Sequence, residues 1–382
     1  ASYIGLWLMA RVTGVRAPRI STVLADQTKR VNDYLEGRHG RDEIDSLLGW
    51  HYRAGYARGG DVINAQQLRS LRVYSQAPRP AVLRTAVFGD SFVYGSEVDT
   101  KDAWPSIAEG TASDLEVLNY GVGGYGDDQA YLRFAREGLA LSPSVVVLGF
   151  TPDDLRRLTN VYRRFIDDRE FAWTKPRFLL ASDGRLKYLP PPIGDTTGLA
   201  SLAVHPEMAI HFGDHDQWYA SVQYRDPLYD YSATVRLLTV LGVRFYNRFL
   251  DRNRLLAGGE FNPASEAFRL QLAISSKFAK EAERLGKLPL LLMLPDRYSI
   301  EQARSGRRTP YAGLVDSLRA RGLDVIDPMS DFIALGRQAN VASWFASGGH
   351  YSPQGNGIVG RAVGRQIRKA ASRQLAARGS PK

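Results

Sequence analysis

The 382-residue chain contains no cysteine. Disulfides and cysteine-ligated metal centres are therefore excluded, and nothing can be read about redox compartment from thiol usage. Histidine is scarce: His39, His51, His205, His211, His215 and His350 are the whole supply of imidazole. No apolar run approaches the roughly 20 residues that a membrane-spanning helix needs. Acidic residues stop at Asp331. From Phe332 to Lys382 there is no Asp or Glu, against Arg337, Arg361, Arg365, Arg368, Lys369, Arg373, Arg378 and Lys382. These eight unopposed charges supply most of the net +10. A basic C-terminal helix of this kind suits an anionic lipid surface or an acidic partner, and equally a solvated face. No RNA- or DNA-binding motif accompanies it, so nucleic acid is not an expected partner.

What is present is ordinary for a folded protein: 44% hydrophobic and 24% charged residues, enough chain for one large domain with additions or for two domains. The first residues, "ASYIGLWLMARVTGVRAPR", are apolar from Tyr3 to Ala10 and then carry Arg11, Arg16 and Arg19. This stretch reads as the end of a membrane-proximal anchor or signal, or as a short buried or interfacial helix. Five short apolar runs follow, each closed by Gly, Pro or a turn: 84–89, 115–121, 144–150, 288–295 and 323–328. Runs apolar throughout predict strands buried on both faces. Helical patterns over 127–141, 264–286, 310–321 and 353–376 alternate with them. Strand–helix alternation predicts a parallel sheet covered on both faces, with ligands at the carboxyl ends of its strands. Residues 1–80 are expected as an N-terminal segment ahead of a main domain over 81–382. An insertion at about 155–262 is expected to line or cover the site.

Ser91, Gly124 and Asp153 fall just past the first three runs, on one predicted rim. A serine hydroxyl is a poor nucleophile unless a base lies within hydrogen-bond reach and donors await the oxyanion. Of the six histidines, His350 alone lies beyond the last predicted strand, in the loop "SGGHYSPQGN" that enters a helix at Pro353. The blocks "GDSF" (89–92), "NYGVGGYG" (119–126), "GFTPDD" (149–154) and "HYSPQGN" (350–356) resemble, in order and spacing, the four blocks of SGNH (GDSL-type) hydrolases over residues 84–365. "DSLLGWHYRAG" (45–55), "NAQQLRS" (64–70) and "TKPRFLLASDGRLKYLPPP" (174–192) are similar to segments of the bacterial, polysaccharide-linked subgroup. The resemblance implies a three-layer α/β/α sandwich, with a flavodoxin-like parallel sheet of about five strands. It implies Ser91 as nucleophile, His350 as general base, and the backbone N–H groups of Ser91 and Gly124 as oxyanion donors. No cofactor is required. The expected substrate is an O-acyl, chiefly O-acetyl, ester of a bacterial glycan, hydrolysed or transferred in the periplasm or at an extracytoplasmic membrane surface. A membrane surface or membrane-protein partner is expected through the N-terminal apolar segment and the basic tail.

Two positions depart from the family pattern. The third block usually offers an Asn amide to the oxyanion, and here the position is Asp153. A carboxylate cannot donate, so Asp153 is expected either protonated in a dry site or paired with Arg156 or Arg157. The fourth block usually carries Asp three residues before His, and here that residue is Ser347. The nearest acids in sequence, Asp327 and Asp331, are the candidates for orienting the ring; otherwise a backbone carbonyl would hold Nδ1–H. These departures leave an alternative, a catalytically degenerate domain serving as a structural or binding subunit. Elsewhere, His211 and His215 in "HFGDHDQW" stand four apart as zinc ligands on a helix would, but Gly213 and the neighbouring acids favour a polar loop. "GVGGYG" (121–126) lies after the second strand and lacks the context of a dinucleotide fingerprint. The aromatic residues of the insertion are expected mostly in a core.

Overall fold

Five parallel strands organise the main sheet of the computed structural model, which describes residues 16–336 and 338–379. They are β1 (Leu83–Phe88), β2 (Leu115–Asn119), β3 (Val145–Phe150), β4 (Leu288–Met293) and β5 (Val325–Ile326). Their lateral order is β5-β4-β3-β1-β2, every neighbouring pair parallel. Val145–Phe150 is buried at all six positions, as is Leu115–Asn119 at all five. Strands sandwiched between helices leave no solvent-facing side, so Val145–Phe150 is apolar throughout, while Glu116 of β2 is buried with a partner, Arg84 Nε of β1 donating to its Oε2 at 2.7 Å. The strands and helices expected from sequence lie where predicted, with the last strand cut to two residues.

The strand order fixes which face each helix takes. The step from β1 to β2 runs one way along the sheet and the next three steps run the other way. With right-handed crossovers, α3 (Trp104–Gly110) covers one face, while α4 (Asp127–Glu137), α8 (Glu266–Arg284) and α9 (Ala312–Arg319) cover the other. The last helix, α10 (Pro353–Gly379), packs on α3. It buries Val359, Val363 and Ile367. The result is the three-layer α/β/α sandwich, with the switch point of the flavodoxin-like order lying between β1 and β3. Residues of α10 carry much of the basic tail. Arg365 pairs with Asp331, Arg368 with Asp114 at 3.8 Å and Arg373 with Asp324 at 3.7 Å, so part of that charge is matched within the fold.

The chain divides into two compact units. One holds the sheet and comprises His51–Leu158, Phe178–Lys187 and the chain from Ala257 onward. The other comprises the chain up to Trp50, Thr159–Arg177 and Tyr188–Leu256. The second unit contains α1 (Ile20–Leu35), α6 (Pro227–Tyr231) and α7 (Ala233–Phe245). Its "HFGDHDQW" segment differs from the expected loop: Pro206–His215 is a 3-10 helix. At three residues per turn, positions four apart point in different directions, so His211 and His215 do not share a face. Asp216, just after it, is a structural acceptor. Its Oδ2 receives Val161 N–H at 2.6 Å, Tyr162 N–H at 3.0 Å and the Asn160 amide at 2.8 Å. Of the insertion's aromatics, Trp173 and Tyr229 are buried, and Tyr188 and Tyr231 are exposed. Among the described residues no helix is long and apolar enough to cross a membrane. The apolar segment Tyr3–Ala10 lies outside the described residues.

Candidate active site

The carboxyl end of β1 turns sharply into a one-turn helix, α2 (Ser91–Tyr94). Gly89 makes that turn possible, because a Cβ there would lie 2.3 Å from the Gly149 carbonyl oxygen. Asp90 caps the helix, accepting Phe92 N–H at 2.8 Å. Ser91 is thereby the first residue of the helix, where the backbone N–H has no intrahelical acceptor. The loop after β2 lies alongside. A Cβ built on Gly123 would stand 4.0 Å from Ser91 Cβ, and Gly123 N–H donates to the Tyr52 hydroxyl at 2.7 Å. Gly124, with φ +80°, occupies the left-handed region that side-chain-bearing residues avoid.

His350 reaches this rim from the far end of the chain. Its loop is closed by Ala346 N–H donating to the His350 carbonyl at 2.8 Å and by a Phe345–Tyr351 bridge. Asn356 ties the loop to α3: its Oδ1 accepts Trp104 N–H at 2.9 Å, and its amide donates to the Tyr351 carbonyl at 2.9 Å. The Tyr351 hydroxyl donates to the Pro295 carbonyl at 2.7 Å. Held so, His350 Nε2 lies 2.8 Å from Ser91 Oγ. The Phe92 ring, 5.1 Å away between centroids, packs against the imidazole.

The acid at the other ring nitrogen is Glu97. Its Oε2 lies 2.7 Å from His350 Nδ1 and accepts His350 N–H at 3.0 Å, while Oε1 accepts Gly348 N–H at 2.7 Å. This corrects the expectation of Asp327 or Asp331. Asp327 accepts Met329 N–H at 2.9 Å and faces the Tyr311 hydroxyl at 3.4 Å, and Asp331 pairs with Arg365. Burial alone would raise the Glu97 carboxyl, but the His350 amide, the His350 ring and the Gly348 amide together hold it below its ordinary value. Glu97 sits at φ +67°, a conformation that persists only where the surroundings impose it. Proximity along the chain to His350 points to Asp327 and Asp331 and does not single out Glu97. Glu97 is 253 residues from His350 but immediately follows the Gly95-Ser96 end of the Ser91 helix. The signal available was an acid six residues past the serine, on the same rim.

Asp153 is not placed to donate. Its carboxylate is held by Arg156 Nε at 2.6 Å and Arg157 Nη2 at 2.8 Å, one of the two outcomes expected for it. Arg157 is the hub of the rim. Its Nη1 also donates to Asp154 Oδ1 at 2.5 Å, the Tyr125 carbonyl at 2.8 Å and Asp90 Oδ2 at 3.2 Å. Burial opposes the charge on Arg157, but Asp153, Asp154 and Asp90 hold it protonated. Asp154, wholly buried, is pushed well above the ordinary carboxyl range by desolvation and by Asp90. Among the described residues no cluster of three or more metal-ligating side chains occurs.

No protein-family model matches the sequence, and no curated protein does. Its structural neighbours are GDSL-type lipolytic proteins and esterases. A member of the lipolytic protein G-D-S-L family from Veillonella parvula is 11% identical, aligned over 73% of this chain and 95% of its own, with a TM-score of 0.33. A lipase/acylhydrolase from Enterococcus faecalis is 13% identical over 75% of this chain and 95% of its own, at 0.35. A catalytic mutant of an acetylxylan esterase from Geobacillus stearothermophilus is 12% identical over 74% and 93%, at 0.39.

Proposed function

We propose that this chain is an SGNH-type serine hydrolase or acyltransferase that cleaves O-acyl esters. The observation that carries the reading is the Ser91 Oγ–His350 Nε2–His350 Nδ1–Glu97 line, with separations of 2.8 and 2.7 Å. Ser91 Oγ attacks the acyl carbon while His350 Nε2 takes its proton. The carboxylate of Glu97 fixes the ring tautomer and stabilises the imidazolium that forms. The N–H groups of Ser91 and Gly124 receive the oxyanion, with no side-chain amide from Asp153. Collapse of the tetrahedral intermediate breaks the bond to the alkoxy oxygen, and His350 returns its proton to the departing alcohol. Water, or the hydroxyl of an acceptor, then attacks the acyl-enzyme with His350 again as base.

An orienting acid also weakens the alternative of a degenerate binding domain, which rested partly on its absence. The substrate assignment, an O-acetyl ester on a bacterial glycan in the periplasm or at an extracytoplasmic membrane surface, rests on the likeness of residues 45–70 and 174–192 to the polysaccharide-linked subgroup. The test is reaction with a fluorophosphonate probe and turnover of p-nitrophenyl acetate. Labelling that is lost in Ser91→Ala and His350→Ala supports ester chemistry at this centre. Absence of labelling, or turnover untouched by Ser91→Ala, overturns it.

A further inference from the structure

The unit built from α1, α6 and α7 carries a helix whose polarity is inverted. The inward side of α7 holds Ala233, Arg236 and Val240. Buried Arg236 donates to the carbonyls of Tyr229 and Asp230, at 3.2 and 2.9 Å, tying α7 to α6. The outward side presents Leu238, Leu241, Phe245 and, in the π-helical continuation Tyr246–Leu250, Phe249. These positions recur at spacings of three and four, so they form one stripe. Leu238 is 64% exposed, Phe245 57% and Phe249 61%. Tyr246 and Leu250 flank them, also exposed. A stripe of this size open to water is the mark of an interaction surface rather than of an incidental exposed side chain.

Charge identifies the partner. No acidic residue occurs between Ala233 and Leu250, while Arg244 and Arg248 stand exposed beside the aromatic residues, without an ion pair among the described residues. Two copies of the chain meeting through this stripe would bring like charges together with no acid on the face to match them. Exposed Leu and Phe bordered by Tyr and Arg is the composition of a helix lying in a lipid interface. The chain at the start of α1 packs on α6 and α7. Ala17 and Ile20 pack against Tyr229 and Val240, and Asp230 accepts Ile20 N–H at 2.6 Å.

We propose that the Leu238–Leu241–Phe245–Phe249 face of α7 and its continuation seats on an anionic lipid bilayer. The proposal is independent of the chemistry at Ser91. Because the chain has no cysteine, Leu241→Cys gives a single site for an environment-sensitive fluorophore. The full chain is mixed with vesicles of equal parts phosphatidylcholine and phosphatidylglycerol, and with vesicles of phosphatidylcholine alone. The expected result is a blue shift and co-sedimentation with the anionic vesicles only. Phe245→Asp/Phe249→Asp abolishes sedimentation, and removing Arg244 or Arg248 weakens it by about fivefold each. Far-UV circular dichroism checks that the variants keep their helices, and the label decides should one lose them. Sedimentation unaffected by these variants, bound protein with no blue shift, or a vesicle-free shift growing with protein concentration would each overturn the proposal, the last indicating a second copy as the occupant.

Discussion

Glu97 shows how much a single side chain decides. Its carboxylate accepts from two backbone amides and from the His350 ring, so it shapes the loop and orients the imidazole together. Glu97→Gln keeps the size of the group but loses the charge that stabilises imidazolium. Turnover of p-nitrophenyl acetate by that variant is expected to fall on the order of a thousand-fold or more, chiefly in kcat. A fall of less than tenfold would show that the acid is dispensable. The depressed carboxyl also has a pH signature. A group whose folded value lies below its ordinary 4.5 adds stability above that pH and loses it as pH falls towards the folded value. The difference in melting temperature between wild type and Glu97→Gln is therefore expected to be greatest near neutrality and to shrink below about pH 4.5. A difference constant from pH 7 to pH 3 would contradict this.

Among elements, the strands were the most legible from sequence and the rim loops the least. A strand buried on both faces is predominantly apolar, so β3 and β4 announce themselves in the residue pattern, and β1 and β2 do so despite the buried Arg84–Glu116 pair they share. The Ser91 and His350 loops were found because their glycines and serine stand where apolar runs end. Glu97 and the Arg157 hub were harder to find, because both depend on contacts between loops distant in sequence. Arg157 ties the ends of β1, β2 and β3 through Asp90, the Tyr125 carbonyl and Asp153 with Asp154. Arg157→Ala would leave Asp90 and Asp154 buried beside one another without their cation. We expect a loss of about 3–5 kcal/mol in chemical denaturation, the cost typical of breaking a buried pair from one side. A loss under about 1 kcal/mol would mean that the rim is held by other contacts. The 3-10 geometry of Pro206–His215 was likewise invisible, since its glycine and acids suit a loop equally well.

For the whole molecule, the net charge of +10 is less available than composition suggests. Composition suits the basic tail to an anionic lipid surface, an acidic partner or a solvated face, yet α10 is a structural layer in which Arg365, Arg368 and Arg373 meet Asp331, Asp114 and Asp324. Ending the chain at Ser352 would uncover α3 and remove the Asn356 bond to Trp104 N–H. The truncated protein is expected to aggregate on expression, whereas a chain ending at Arg373 should stay soluble and fold. Soluble, cooperative unfolding of the shorter form would refute that role.

Ser91 and Glu97 share one short stretch of backbone, whereas the imidazole arrives from a separate loop. Two of the three side chains in the Ser91–His350–Glu97 line therefore lie in a single cassette of nine residues, Gly89 to Glu97. A swap of that cassette between related scaffolds would carry hydroxyl and carboxylate in fixed mutual geometry. The recipient would need to supply only a histidine at the right height above the sheet.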